Sequence, residues 1–434
     1  MSPLSFWSLP IADAARNAWA SPGHAPSLPG SETSSPAMSD GSRFAVEVLD
    51  GADAGRHRDA WADLQTRCLE ANVFLDPDFA LPAARHLTSR RHPSFILVWA
   101  PETSGPRELV AVCPVARSRG PFRRLFPVWY HDLAALGFPL LDRTRGGAAL
   151  RALLDWVGQG LPQCRALLFR SVPADGPTAA LLFGAADVAG GGIAMLDAWS
   201  RAVLRREAGQ GRSGLGALSA KGAKEARRQR RRLAERGTLG YASARADDDL
   251  TAALEQFLAL EARGWKGAAG TALLARPART AFARTMTRLL GRQGRCRIDS
   301  LTLDSVPIAM AVVLTAGDTD FFWKMAYAED LAQFSPGVQL VLDMSEAQDR
   351  EGRAALTDSC AVPHHPMIDR LWRDRLAMSD IAIASRSDRI PGFHLAVAKE
   401  RMVRRLRAGA KGVVGAWRRR ALRPSPQRGE GGPA

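Results

Sequence analysis

The segment from Asp320 to Ala384 constrains the fold most. It opens with DFFWKMAY, an aromatic run of strand character. It breaks at Ser335-Pro336-Gly337 and continues with helical spacing. A short apolar strand ending at Asp358 follows, then His364-His365, a helix bearing Trp372 and a last apolar strand, Ile381–Ser385. A strand that feeds a helix start forms an anion site, because free N–H groups and the positive dipole end face the loop. Ser335 suits the N-cap, Pro336 the first helical position, and Gly337 a close backbone approach. The same three residues also fit an ordinary capped helix.

The chain has 434 residues, room for two or three domains. No window approaches the ~20 apolar residues of a membrane span, and the N-terminus lacks a signal-peptide pattern. A cytoplasmic protein, with peripheral contact at the inner membrane face, is expected. Five widely spaced cysteines suggest neither a zinc site nor a disulfide framework; Cys113 and Cys164, in apolar runs, read as buried thiols. No metal is expected. The net charge of +15 is confined to two places. Lys221–Arg236 holds eight basic residues against two acidic, and Arg386–Ala434 holds thirteen against three. The rest is nearly neutral, and no aromatic-basic interleaving accompanies the arginines, which argues against a general nucleic-acid binder.

Residues 1–42 read as a disordered leader rich in Ser, Pro, Ala and Gly. Residues 43–206 read as one α/β unit. Residues 207–237 read as a Gly/Ser-rich linker and a basic helix. Residues 238–386 repeat the plan in the order β-α-α-β-β-β-α-β-α-β. Residues 387–434 form a basic amphipathic tail, with Leu395, Met402, Leu406, Val413 and Trp417 on one helical face. The tail suits a reversible contact with an anionic membrane.

This element order resembles the GCN5-related N-acetyltransferase (GNAT) fold. LEARGWKGAAGTAL at Leu260–Leu273, AYAEDLAQFSPGVQL at Ala326–Leu340 and LTDSCAVPHHPMIDRLWRDR at Leu356–Arg375 resemble segments of CelD-like acyltransferases, relatives of the FemAB group. The resemblance spans about Lys221–Ser385. It implies an α/β fold of two tandem GNAT-like modules, each a mixed, mostly antiparallel sheet flanked by helices. The second module would be catalytic and the first degenerate. It also implies acyl-CoA as co-substrate, with no permanently bound cofactor, and an amine or hydroxyl acceptor on a sugar, peptide or other amine. Polysaccharide or cell-envelope synthesis is the setting it suggests. FemAB-type relatives use aminoacyl-tRNA instead, so tRNA is a second candidate partner. A scaffold that keeps the fold without chemistry is a third reading.

Acyl transfer needs a carbonyl polariser, a proton acceptor for the nucleophile and a donor for the leaving thiolate. Main-chain groups near Met325, Ala326 and Ala328 are expected to polarise the carbonyl. Ser335, Gly337 and Val338 are expected at the phosphates. Lys324, a cation on an aromatic strand, would meet a phosphate or carboxylate, or face solvent. Asp358, His364 and His365 are the candidate bases, since imidazole titrates near pH ~6.5; the histidines also fit a helix cap or an exposed surface. Tyr327 is the candidate acid. Glu261, Trp265 and Lys266 are expected beside the acceptor, with a core position as the alternative for Trp265. The pattern departs from common GNAT domains in having one glycine in QFSPGVQ where they carry a Gly-rich loop.

Overall fold

The computed structural model describes residues 44–88, 93–102, 107–116, 125–160, 166–188, 192–206, 218–384 and 390–421. The expected leader, most of the linker and Cys164 lie outside the described residues. Alternating and fully apolar runs become strands, and capped amphipathic runs become the helices over them. In chain order the first half comprises β1 (Ala45–Asp50), α1 (Arg58–Thr66), α2 (Pro77–His86), β2 (Ser94–Trp99), β3 (Leu109–Val115), β4 (Leu125–Pro127), β5 (Leu140–Leu141), α3 (Gly146–Gly160), β6 (Ala166–Pro173), α4 (Pro177–Val188) and β7 (Ile193–Arg205). The basic run becomes α5 (Ala220–Ala234), capped by the Ser219 side chain accepting from Gly222 N.

The second half follows with β8 (Leu239–Ala244), α6 (Asp247–Arg263), α7 (Trp265–Ala268), α8 (Pro277–Gly291), β9 (Cys296–Leu303), β10 (Val306–Ala316), β11 (Thr319–Tyr327), α9 (Pro336–Glu351), β12 (Leu356–Asp358), α10 (Ile368–Leu371), β13 (Asp374–Ala384) and α11 (Ile390–Ala421). Asp304 and Ser305, both at positive φ, turn β9 tightly into β10. Two expectations change here. The Trp-bearing helix is one short turn, α10, and Trp372 lies just past its end. The last strand starts at Asp374, well before Ile381.

A four-stranded sheet has the order β1-β2-β3-β5, and a nine-stranded sheet the order β4-β6-β13-β7-β12-β11-β10-β9-β8. Pairing is antiparallel except for β4 with β6 and β11 with β12. Each half therefore repeats one plan: antiparallel strands, then a parallel pair, then an antiparallel closing strand. The closing strands are exchanged. β7, from the first half, pairs with β12 of the second. β13, from the second, pairs with β6 of the first. β7 and β13 also pair with each other along most of their length. The two modules thus complete each other's sheet.

One ion pair sits at this crossing. Arg201 on β7 reaches Asp358 at the end of β12, with side-chain exposures of 4% and 2%. Arg201 also donates to Ala135 O at 3.0 Å, and Asp358 accepts from Cys360 N at 2.9 Å. Burial makes each charge depend on the other. α11 covers the far end of the sheet, with Phe393, Ala396 and Val397 packed against Leu125, Leu168 and Ala382. Its opposite face leaves Leu395, Met402 and Leu406 exposed. The side chains of Val413 and Trp417 lie outside the described residues. Cys113 is fully buried, as expected.

Arg201→Met or Asp358→Leu alone strands one buried charge and is expected to cost about 3–5 kcal/mol in urea unfolding. The double substitution restores most of that stability. A double-variant loss equal to the sum of the two single losses would show that the pair is not coupled.

Candidate active site

β11 and β12 pair over only Thr319–Phe321 and Leu356–Asp358. Beyond Phe321 the strands part, while β11 stays paired with β10 as far as Tyr327. Ala328 N donates to Ile308 O across β10, at 2.8 Å. Strand alternation then turns the main-chain groups of Tyr327 and Met325 the other way, into the gap. Met325 shows this directly, because its carbonyl accepts from Lys266 Nζ at 2.8 Å. A lysine takes the place of the absent strand.

A bulge decides which side chains face which helix. Val312 pairs with Lys324 and Val313 with Phe322, so Trp323 is the extra residue. Phe322, Met325 and Tyr327 pack with α9, and Trp323 and Ala326 with α6 and α8. Lys324 follows Trp323 onto the α6 side, its Nζ 3.9 Å from Glu261 Oε1. Lys324 therefore neither faces open solvent nor points toward the start of α9. Its side chain is 18% exposed. Burial pushes its amine down to about 8, against the pull of Glu261.

The Leu260–Leu273 segment closes on itself around Glu261. α6 ends at Arg263, and Trp265 begins the separate turn α7. Gly267 packs so tightly on the end of α6 that a Cβ there would overlap the Ala262 carbonyl. Thr271 N and Ala272 N return to Lys266 O at 2.8 and 3.0 Å. The chain then delivers Leu273 N to Glu261 Oε2 at 2.8 Å, and Lys266 Nζ meets Oε1 at 3.0 Å. The Glu261 side chain is fully buried. Burial alone would raise its carboxyl, but Lys324, Lys266 and the Leu273 N–H bring it below the ordinary range.

Glu261, Trp265, Lys266, Met325, Ala326 and Tyr327 line one groove, together with Glu329. Sequence reasoning did not single out Glu329. Its carboxylate accepts from Trp265 N and fixes the start of α7. The available signal was an acid directly after the aromatic strand. Trp265 is half-buried on this groove, not in the core. Tyr327 is half-buried, and burial with the Glu329 charge raises its phenol, so it stays protonated at neutral pH.

The start of α9 differs from a capped helix. Ser335 is left-handed, with φ 52°, and its side chain caps nothing. Pro336 has no N–H. Val338 N and Gln339 N both donate to Ser335 O, at 2.9 and 3.1 Å. Among the described hydrogen bonds, Gly337 is the residue of this turn whose N–H has no acceptor. Its lack of a side chain also serves Met325, whose Cε would stand 2.9 Å from a Cβ at Gly337. α5 lies alongside, through Gln339 Nε2 to Ala226 O at 3.0 Å and Arg230 to Asp343 at 3.0 Å.

The expected bases are elsewhere. The Asp358 carboxylate is held by Arg201 beneath the sheet surface. His364 is exposed in a turn, with φ 59°. His365 Nδ1 accepts from Ile368 N at 3.3 Å and so caps α10; burial lowers its imidazole. None of the three lines the groove. Among the described residues no cluster of three or more His, Cys, Asp or Glu is arranged to hold a metal.

Residues 220–357 match the family model described as acetyltransferase (GNAT) domain. The matched stretch runs from the start of α5 into β12. No curated protein matches the sequence. Similar solved structures include FemX, at 11% identity and TM-score 0.49, covering 76% of this chain and 96% of that one. A C-terminal domain named for a lysylphosphatidylglycerol synthetase, from Agrobacterium fabrum, is similar at 13% identity and TM-score 0.49, covering 81% and 96%. A tandem GNAT protein from the clavulanic acid biosynthesis pathway is similar at 15% and TM-score 0.38, covering 79% and 99%.

Gly267→Ala forces the α6–α7 junction apart. It is expected to lower stability by about 1–3 kcal/mol, as overpacking does. Thermal unfolding checks this, and an unchanged midpoint would show that the junction yields freely.

Proposed function

We propose that this protein transfers an acyl group from acyl-CoA to an amine or hydroxyl acceptor. The observation that carries this reading is the parting of β11 from β12 after Phe321. A thioester carbonyl laid in the gap meets main-chain N–H groups of Met325 and Tyr327, aimed where negative charge develops. The carrier's phosphates run toward Gly337 N–H on the α9 side. The acceptor enters from the α6 side, past Trp265 and Glu329. Tyr327, between the two, supplies a proton to the departing thiolate. In this reading residues 238–386 form the catalytic module and residues 43–206 shape its acceptor side. A sugar or peptide of the cell envelope suits the aromatic and charged lining.

The test is calorimetric titration of the purified chain with acetyl-CoA and with longer acyl-CoAs. Binding is expected between about 1 µM and 1 mM, the usual range for enzyme substrates. Absence of heat with every one of them removes the reading.

One observation favours an aminoacyl-tRNA donor instead: the start of α9 offers few N–H groups, while α5 beside it exposes Lys224, Arg227, Arg231 and Arg232. Salt-sensitive tRNA binding without acyl-CoA binding would select it. A scaffold without chemistry would show neither.

Peripheral membrane contact is proposed for α11. Leu395, Met402 and Leu406 are 61%, 56% and 66% exposed, among the exposed Lys399, Arg401, Arg405 and Arg407. No helix among the described residues is long and apolar enough to cross a membrane. Replacing all three apolar residues by Ser is expected to reduce sedimentation with phosphatidylglycerol vesicles, leaving the docked face of α11 intact. Unchanged sedimentation refutes the contact.

A further inference from the structure

We propose that Lys266 is a catalytic residue: its ammonium donates to the thioester oxygen and stabilises the negative charge that forms there. This rests on the acyl-transfer reading and adds a charged donor to the main-chain N–H groups of the gap.

The ammonium already stands at the open edge of β11. Lys266 lines the groove with Met325, Ala326 and Tyr327. Its Nζ donates to Met325 O at 2.8 Å, on the edge that β12 leaves unpaired. A second N–H goes to Glu261 Oε1 at 3.0 Å. An ammonium has three donors, and among the described hydrogen bonds the third has no acceptor. The Trp265 ring, its centroid 5.9 Å from Nζ, flanks the ammonium without reaching hydrogen-bond distance. The two bonds already made fix Nζ, so the third N–H is directed before any substrate arrives, as charge stabilisation in a transition state requires. The side chain is 18% exposed, so a ligand in the groove can reach it. Lys324 differs: its Nζ is 3.9 Å from the same Glu261 oxygen, and it is not among the residues that line the groove.

The position suits the reacting oxygen. Met325 O and Tyr327 N leave the same edge of β11 and flank the single residue Ala326, so less than ~7 Å of strand separates them. Nζ is anchored at the first place and the Tyr327 N–H stands at the second. One oxygen between them accepts from both. The acceptor's lone pair forms the bond to the acyl carbon, and the carbonyl π pair moves onto this oxygen. The acceptor's proton leaves to water at the groove mouth. The carbonyl then re-forms, the carbon–sulfur bond breaks with its electron pair on sulfur, and the thiolate takes the Tyr327 proton. Water returns a proton to the phenolate. Lys266 keeps its three protons throughout. Glu261 is a positioning residue, holding Nζ through Oε1 while Leu273 N holds Oε2 at 2.8 Å.

Lys266→Met alone would leave Glu261 a bare buried charge, so the test pairs it with Glu261→Gln, which can still accept from Leu273 N. Thiol release from acetyl-CoA, with hydroxylamine as acceptor, is expected to fall by about 10²-fold or more in kcat, the usual loss for one oxyanion donor, with KM near native. Release at the native rate overturns the proposal. A second variant guards against a folding defect. Lys266→Cys should lose activity and regain it when 2-bromoethylamine rebuilds an ammonium on the sulfur; the native chain, treated alike, controls for the other cysteines. No recovery overturns the proposal. Isotope-edited infrared spectroscopy of carbonyl-labelled acetyl-CoA reads the contact directly. The bound carbonyl band should move to lower frequency in the native chain and back toward its solution value in the double variant. Binding with an unshifted band overturns the role of Lys266 alone. A native chain that neither binds acetyl-CoA nor releases thiol removes the donor reading, and this role with it.

Discussion

The fork between β11 and β12 depends on a pair of charges that cannot separate. Asp358 ends β12 opposite Phe321, and Arg201 reaches it from β7 on the other side. Removing either ion from its partner leaves a bare charge in a low-dielectric interior, a cost of several kcal/mol. β12 therefore stops where Arg201 holds it, and β11 continues with β10 as its one neighbour. The open edge that results carries unpaired main-chain groups, which elsewhere in a sheet would invite another strand. Lys266 Nζ blunts part of that edge by binding Met325 O.

Two further constraints act on the same few residues. The bulge at Trp323 breaks strand alternation just before the gap, so adjacent residues serve different faces. The Glu261 loop fixes a carboxylate through a backbone N–H and an ammonium, both delivered by the chain that follows it. The groove walls are therefore built from short-range contacts within the second half, while its floor depends on a strand from the first. Local and distant parts of the sequence meet at Met325 and Tyr327.

Much of this was legible in the residues. α6, the aromatic strand and the Pro336 helix start are where hydrophobic period and turn chemistry put them. Glu261, Trp265, Lys266, Met325, Ala326 and Tyr327 do gather at one groove. Other features leave no mark that one sequence can show. The partner of a strand is not written in its own pattern, so the exchange of β7 and β13 was invisible. A single extra residue in β11 sets the side of Lys324, beside the Glu261 carboxylate, one of the partners its charge allowed. Ser335 is a good cap by type, but its left-handed backbone turns the hydroxyl away from that task. Asp358 and His365 have the chemistry of bases, and their partners commit them to holding the fold. On α11, period marked an apolar stripe but not which stripe docks: Phe393, Ala396 and Val397 are inside and Leu395 outside.

The crossed closing strands also bear on how the chain is made. While the ribosome is still translating the second half, β6 has no neighbour on the side that β13 will fill. At ~5–20 residues per second, that edge waits for seconds to tens of seconds. β7 waits as well, since both of its sheet partners, β12 and β13, come from the second half. The N-terminal half therefore emerges as an unfinished sheet and gains its last rungs only when the C-terminal strand arrives. Until that strand arrives, the open edges of β6 and β7 are free to pair with the wrong partner.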